Sequence, residues 1–204
     1  MSLYTLQQSD TYEVAALVAN FSESDQRLKT HGVSQSLVYQ QVKELGVPLY
    51  PVYLSDDPAN SEYEARVGVA FTHFRQQGVK IVAHGDLFLE DIRAYREQHL
   101  AQYGMSGIYP VWGRETAVFA REFLGLGFKA IVTCVDTSLL DAAFSGRFYD
   151  EAFLDELPED VDPCGENGEF HTFVYDGPLF RLPVALDIGE TFIQAGRYCI
   201  CELR

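Results

Sequence analysis

Asp162-Pro163-Cys164-Gly165-Glu166-Asn167-Gly168-Glu169-Phe170-His171-Thr172, continued by Phe173-Val174-Tyr175-Asp176-Gly177-Pro178-Leu179-Phe180, is the stretch on which the reading of this chain turns. Gly165 and Gly168 bracket Glu166 and Asn167, and glycine is used where the backbone needs positive φ or must approach something closely. The polar loop runs directly into an apolar strand that ends at Asp176-Gly177-Pro178, a strong turn signal. A rigid strand behind a polar loop is a good mount for functional groups. A plain glycine turn at a strand entrance is the bland alternative.

This stretch also marks a change of rhythm. Ahead of it, strands and helices alternate. Apolar runs at 13–21, 47–54, 79–83 and 128–135 read as strands, and amphipathic segments at 34–46, 61–77, 87–103 and 115–124 read as helices. That order predicts a parallel α/β sheet with right-handed crossovers. The two prolines of 47–54 place that strand at the sheet margin. After Asp136 a short helix is expected at 151–157, then only strands at 170–175, 182–188 and 197–203. The predicted organisation is therefore a parallel-sheet α/β domain over 1–136 and a smaller C-terminal α+β lobe over 137–204.

Thirty acidic against fifteen basic residues leave a net charge of −15 and a pI near 4.6. With no Lys/Arg-rich run, direct nucleic-acid binding is disfavoured. Backbone amides can still hold the phosphates of a bound nucleotide. The four cysteines form no C-x-x-C pair, so no structural metal site is expected. No apolar run is long enough to span a bilayer and no signal peptide opens the chain, so the expectation is a cytoplasmic protein with reduced thiols.

In an open parallel sheet, ligands bind beyond the carboxyl ends of the strands, which selects Asn20, Phe21, Gly85, Asp86 and Asp136. Asp86 serves equally well as an N-cap for the helix that follows. His31-Gly32 sits in a polar loop, and Tyr109, Trp112 and Arg114 are candidates for a pocket wall. The densest cluster is Glu166, Asn167, Glu169 and His171, suited to orienting an amine nucleophile, to general-base work or to Mg²⁺. No G-x-S-x-G elbow occurs, which argues against a serine hydrolase.

His31-Gly32-Val33, Gly85-Asp86, Pro110-Val111-Trp112, Gly165 to Thr172 and Gly177-Pro178-Leu179-Phe180 together carry a resemblance to the diphthine–ammonia ligase family. That family lies within the N-type ATP pyrophosphatases, the PP-loop or adenine nucleotide alpha-hydrolase-like superfamily. The octapeptide Gly165–Thr172 is the most specific match, and the quoted pieces span nearly the whole chain. The resemblance implies a HUP/Rossmann-like nucleotide-binding domain, ATP and Mg²⁺ as cofactors, and ammonia as nucleophile. It also implies an acceptor carboxylate, either that of diphthine on elongation factor 2 or one on a small molecule. On this pattern His31, Gly85, Asp86, Trp112, Gly165 and Gly168 are expected on the nucleotide side. Glu166, Asn167, Glu169 and His171 are expected on the acyl-acceptor side.

The family's Ser-Gly-Gly-Lys-Asp-Ser phosphate loop does not occur in this sequence, whose opening Met1 to Gln7 aligns with the helix after that loop. The expectation is an N-terminally incomplete nucleotide domain with two unpaired strand edges, prone to pair with another chain, a homo-oligomer included. A nucleotide-binding module without ligase activity is the alternative reading.

Overall fold

Two hydrophobic cores form, each closed by its own set of strands and helices. The computed structural model describes all 204 residues. The first unit comprises Met1–Asp25 and Val47–Arg114, and the second comprises Gln26–Gly46 and Glu115–Arg204. The division expected at 136/137 falls inside the second unit.

In the first unit, helix α1 (Ser2–Gln7) precedes strand β1 (Leu17–Ser22). Helix α2 (Gln35–Leu45) follows in sequence but belongs to the second unit. Strand β2 (Leu49–Leu54) pairs with β1 in parallel, Leu17 opposite Leu49, in a two-stranded ladder in which both strands are edges. Helix α3 (Asn60–Gln76), strand β3 (Ile81–Ala83), helix α4 (Glu90–Ala101) and strand β4 (Ser106–Ile108) complete the unit. β3 and β4 form a second parallel pair. Helix α3 buries Val67, Ala70 and Phe71 against Val52, Leu54, Leu100 and Met105. The single expected parallel sheet is thus present as two separate two-stranded ladders.

The second unit is built around strand β5 (Lys129–Asp136), which is buried at every position after Lys129. Helix α5 (Thr116–Gly125) precedes β5, capped by the Glu115 carboxylate on the Ala117 and Val118 amides. Strand β6 (Phe148–Tyr149), helix α6 (Glu151–Glu156) and strands β7 (Phe170–Asp176), β8 (Ile188–Gln194) and β9 (Tyr198–Leu203) follow. β5 pairs antiparallel with β6, β7 and β9, and β8 pairs with β9. β5 was expected in the parallel sheet. A continuous apolar run marks any strand covered on both faces, and β5 is covered in an antiparallel setting. The strand expected at 182–188 lies instead at Ile188–Gln194, joined to β9 through Ala195 and Gly196 at φ 51° and 65°. Two positive-φ residues are what a tight hairpin of matching twist requires, but Ala-Gly signals it weakly.

Residues 26–46 dock on this unit through specific bonds. Gln41 Nε2 donates to the Val174 carbonyl at 2.6 Å, the Arg181 amide donates to the Glu44 carbonyl at 3.0 Å, and Arg27 pairs with Glu202 at 3.4 Å. Gly32, at φ +68°, lies so close to Ile200 that a Cβ would meet its Cγ2 at 2.7 Å.

At the end of β5 the Asp136 carboxylate, 3% exposed, accepts from Arg197 Nε at 2.8 Å to each oxygen and also contacts Arg197 Nη2. The Ser138 amide and hydroxyl donate to it as well. These donors, Arg197 foremost, lower its pKa to about 2. Asp136, a candidate ligand group at the sequence level, is here a clamp between β5 and the β8–β9 hairpin. A depressed carboxylate pKa adds stability that is present above the unfolded value and is lost as pH falls from about 4 towards 2. Asp136→Asn should lower unfolding free energy by about 2 kcal/mol at pH 7. The gap should close near pH 2 in urea titrations, and a gap independent of pH would refute the clamp.

Candidate functional site

Functional side chains gather in each unit, and each group is described within its own unit. In the second unit the loop before β7 closes on itself through two carboxylates. Asp162 Oδ1 accepts from the amides of Cys164 at 2.9 Å and Glu166 at 3.2 Å. Glu169, 3% exposed, accepts from the Asp162 amide at 2.9 Å, the Asn167 amide at 3.0 Å and Asn167 Nδ2 at 3.1 Å. Gly165 and Gly168 take φ +67° and +88°, and a Cβ on Gly165 would lie 2.5 Å from the Phe170 carbonyl oxygen. Only glycine permits that approach. Glu169 therefore organises the loop, while Glu166 is half-buried and Asn167 exposed.

His171 lies one residue into β7, opposite Cys134 of β5. Its ring meets that of His31, with centroids 4.6 Å apart and an interplanar angle of 31°. Two motifs far apart in sequence thus come together in one unit, a contact that neither motif announces alone. His31 Nδ1 lies 3.1 Å from the Lys29 carbonyl and 3.0 Å from the Thr30 hydroxyl, and donates to that carbonyl in its Nδ1-protonated tautomer. Desolvation holds both rings neutral. It lowers the pKa of His31, and with the neighbouring His31 it brings His171 to about 4. Cys164, pushed up to about 12 by burial, donates to the Thr116 carbonyl and is a protonated structural thiol. All four cysteines are free.

In the first unit, Asp86 does not cap a helix. Leu89 holds the N-cap position of α4, and Asp86 instead pairs with Arg96 of α4 at 3.1–3.3 Å. His84, its pKa brought to about 4 by burial and then by Arg96, stacks on Tyr109 at 5.6 Å. Tyr109 meets Trp112 edge-on at 5.6 Å, and the Arg93 guanidinium lies 4.7 and 4.8 Å from the two ring centroids. Gly85 is exposed beside this array. His84, Arg93 and Arg96 were not singled out in the sequence. The two arginines, three apart on a predicted helix, were the available signal. No group of three or more His, Cys, Asp or Glu side chains gathers to hold a metal ion. No helix is long and apolar enough to cross a membrane.

Residues 115–202 match the family described as the diphthamide synthase C-terminal domain. The chain is also similar to proteins named diphthine–ammonia ligase. It is 31% identical to that of Danio rerio over 113 residues, covering 52% of this chain and 44% of the relative. It is 32% identical to that of Homo sapiens over 90 residues, covering 42% and 34%. It is 28% identical to that of Rattus norvegicus over 125 residues, covering 58% and 45%. The matches thus span less than half the length of these relatives.

Glu169→Gln keeps the size of the side chain but replaces an acceptor by a donor inside the loop. The expected loss is about 1–3 kcal/mol in denaturant titrations, with faster hydrogen exchange at the Asp162 and Asn167 amides. Unchanged exchange would show that the loop holds without this carboxylate. The histidines act in the opposite pH direction to a salt-bridged base. Below about pH 6.5 the unfolded chain binds protons that native His84 and His171 refuse, so stability should fall as pH drops from 6.5 towards 4. NMR titration of the His171 ring should give a midpoint near 4, and a midpoint near 6.5 would contradict its desolvation.

Proposed function

Because this chain belongs to the diphthine–ammonia ligase family, we propose that it acts in ATP-dependent amide formation on a carboxylate. The carboxylate attacks the α-phosphorus of ATP, giving an acyl-adenylate and pyrophosphate. Ammonia then displaces AMP, giving the amide and releasing one proton. The acceptor proposed first is diphthine on elongation factor 2, and the same chemistry would serve a small-molecule carboxylate. The observation that carries this reading is the loop Gly165–Thr172. It lies inside the segment matched to the family's C-terminal domain, is closed by a buried carboxylate, and delivers His171 to His31.

In this reading the neutral imidazoles of His31 and His171 accept hydrogen bonds from the incoming amine and orient it. A group with a pKa near 4 is too weak a base to keep the released proton, which passes to solvent. Glu166 and Asn167 line the acceptor side, and Glu169 positions them through the loop amides. On the nucleotide side, exposed Gly85 offers close backbone approach, and the Tyr109–Trp112 pair offers a face for a purine ring. Mg²⁺ travelling with the phosphates would neutralise charge on the departing pyrophosphate. The paired Asp86 is a poor dedicated ligand for it.

A second reading is favoured by one observation. Arg96 is the cation among the residues lining the first unit's cavity, and it is already bound to Asp86. Few free cations face a triphosphate there, which suits a nucleotide-binding module that performs no adenylation.

Calorimetric titration with ATP and Mg²⁺, followed by an assay of AMP release with ammonia and acceptor, separates these readings. The ligase reading expects ATP binding and ammonia-dependent AMP. It also expects His171→Ala to lower AMP release at least tenfold with ATP affinity unchanged. Binding without AMP release supports the module, and no binding overturns both.

A further inference from the structure

Thr30 stands in a backbone conformation that its side chain disfavours. Residues 28–33 form a tight turn, in which the Leu28 amide donates to the Val33 carbonyl at 2.7 Å and the Gly32 amide to the Leu28 carbonyl at 3.0 Å. Inside this turn Thr30 takes φ +66°, in the left-handed region. A β-branched residue there is an outlier, because its Cβ crowds the backbone. Glycine would make the same turn with less strain.

Strain of this kind persists only where the surroundings over-determine it. Here the turn is held from outside. Arg27 Nη1 donates to the Gly32 carbonyl at 2.7 Å, and Arg27 Nη2 pairs with Glu202 of β9 at 3.4 Å. Gly32 lies against Ile200 of β9 with no room for a Cβ. The Thr30 hydroxyl takes no part in these contacts and turns to the neighbouring histidine. Its Oγ1 donates to the Lys29 carbonyl at 2.6 Å and lies 3.0 Å from His31 Nδ1, which is itself 3.1 Å from the same carbonyl. With the hydroxyl proton committed to the carbonyl, Oγ1 is left to accept from the ring. An unprotonated Nδ1 would instead set two acceptors 3.1 Å apart. The ring held in this way meets His171 with centroids 4.6 Å apart.

We propose that Thr30 is a positioning residue for the histidine pair. Its left-handed backbone aims the His31 side chain at His171, and its hydroxyl holds the ring in the Nδ1-protonated tautomer. The proposal rests on the reading above, in which these imidazoles orient an incoming amine. An amine N–H needs an acceptor nitrogen, and in the other tautomer Nε2 of His31 would offer a donor. Threonine thus gives up backbone ease for a ring of defined direction and tautomer.

The test compares the full chain with Thr30→Gly and Thr30→Ser by nitrogen NMR of the histidine rings, by ring-to-ring nuclear Overhauser contacts and by thermal melting. Thr30→Gly removes both the strain and the hydroxyl, so it should melt no lower than the parent. Its His31 ring should nonetheless lose the Nδ1–H signature, and the His31–His171 cross-peaks should be lost with it. Thr30→Ser keeps the hydroxyl and should retain both. A lower melting temperature for the glycine variant, or an unchanged His31 ring in it, overturns the proposal. So does a serine variant whose ring spectra match those of the glycine variant. These readouts need no turnover. Where the parent releases AMP with ammonia, Thr30→Gly should release it about tenfold more slowly with ATP affinity unchanged. If the parent releases none, the ligase reading falls while the ring spectra still decide the role of Thr30.

Discussion

Strand β5 is the element on which the second unit depends. Its backbone is hydrogen-bonded to β7 along one edge and to β6 and then β9 along the other, and it is buried from Ala130 to Asp136. A strand removed from water on both faces and both edges must have every amide and carbonyl matched, or each orphan costs on the order of 1–3 kcal/mol. Asp136 collects the guanidinium of Arg197 and the donors of Ser138 where the ladder ends. The core beneath it is heavily aromatic, with Tyr149, Phe153 and Phe170 in mutual ring contact. Their fit against β5 and β7 holds the loop before β7 in one place.

Much of this was legible from the residues. Helix α2 begins at Ser34 and ends at Gly46, as a hydroxyl cap and a positive-φ glycine dictate. The glycines bracketing Glu166 do take positive φ. What failed was the setting of β5. Apolar periodicity reports burial, and burial is the same whether neighbouring strands run parallel or antiparallel. The true partners of β5 are β7 and β9, and strand pairing at that separation leaves no local trace. The β8 position failed for a related reason, since Phe192 and Ile193 are largely exposed and the hairpin turn uses Ala195 instead of asparagine.

The site was legible by residue type but not by role. The cluster at 166–171 drew attention through its carboxylates, yet the most buried of them, Glu169, spends its acceptors on neighbouring amides. Functional density and structural necessity look alike in sequence, because both concentrate polar groups near glycine. His31 and His171 show the converse. Each is ordinary in its own loop or strand, and only the docking of residues 26–46 on the sheet makes them a pair.

The same docking has a consequence for how the protein comes into being. The chain leaves the first unit after Asp25, contributes α2 to the second, and returns at Val47 before the rest of the second unit begins at Glu115. Neither unit is a continuous segment. Once residue 114 has been added the whole sequence of the first unit has been made, while α2 still lacks the strands it packs on. The Gln41–Val174 bond closes a very long loop, and such contacts form late and slowly. For the same reason, no single cut would liberate either unit intact. A protease nick between residues 26 and 46 would sever both units from part of their own sequence, so the two should lose structure together.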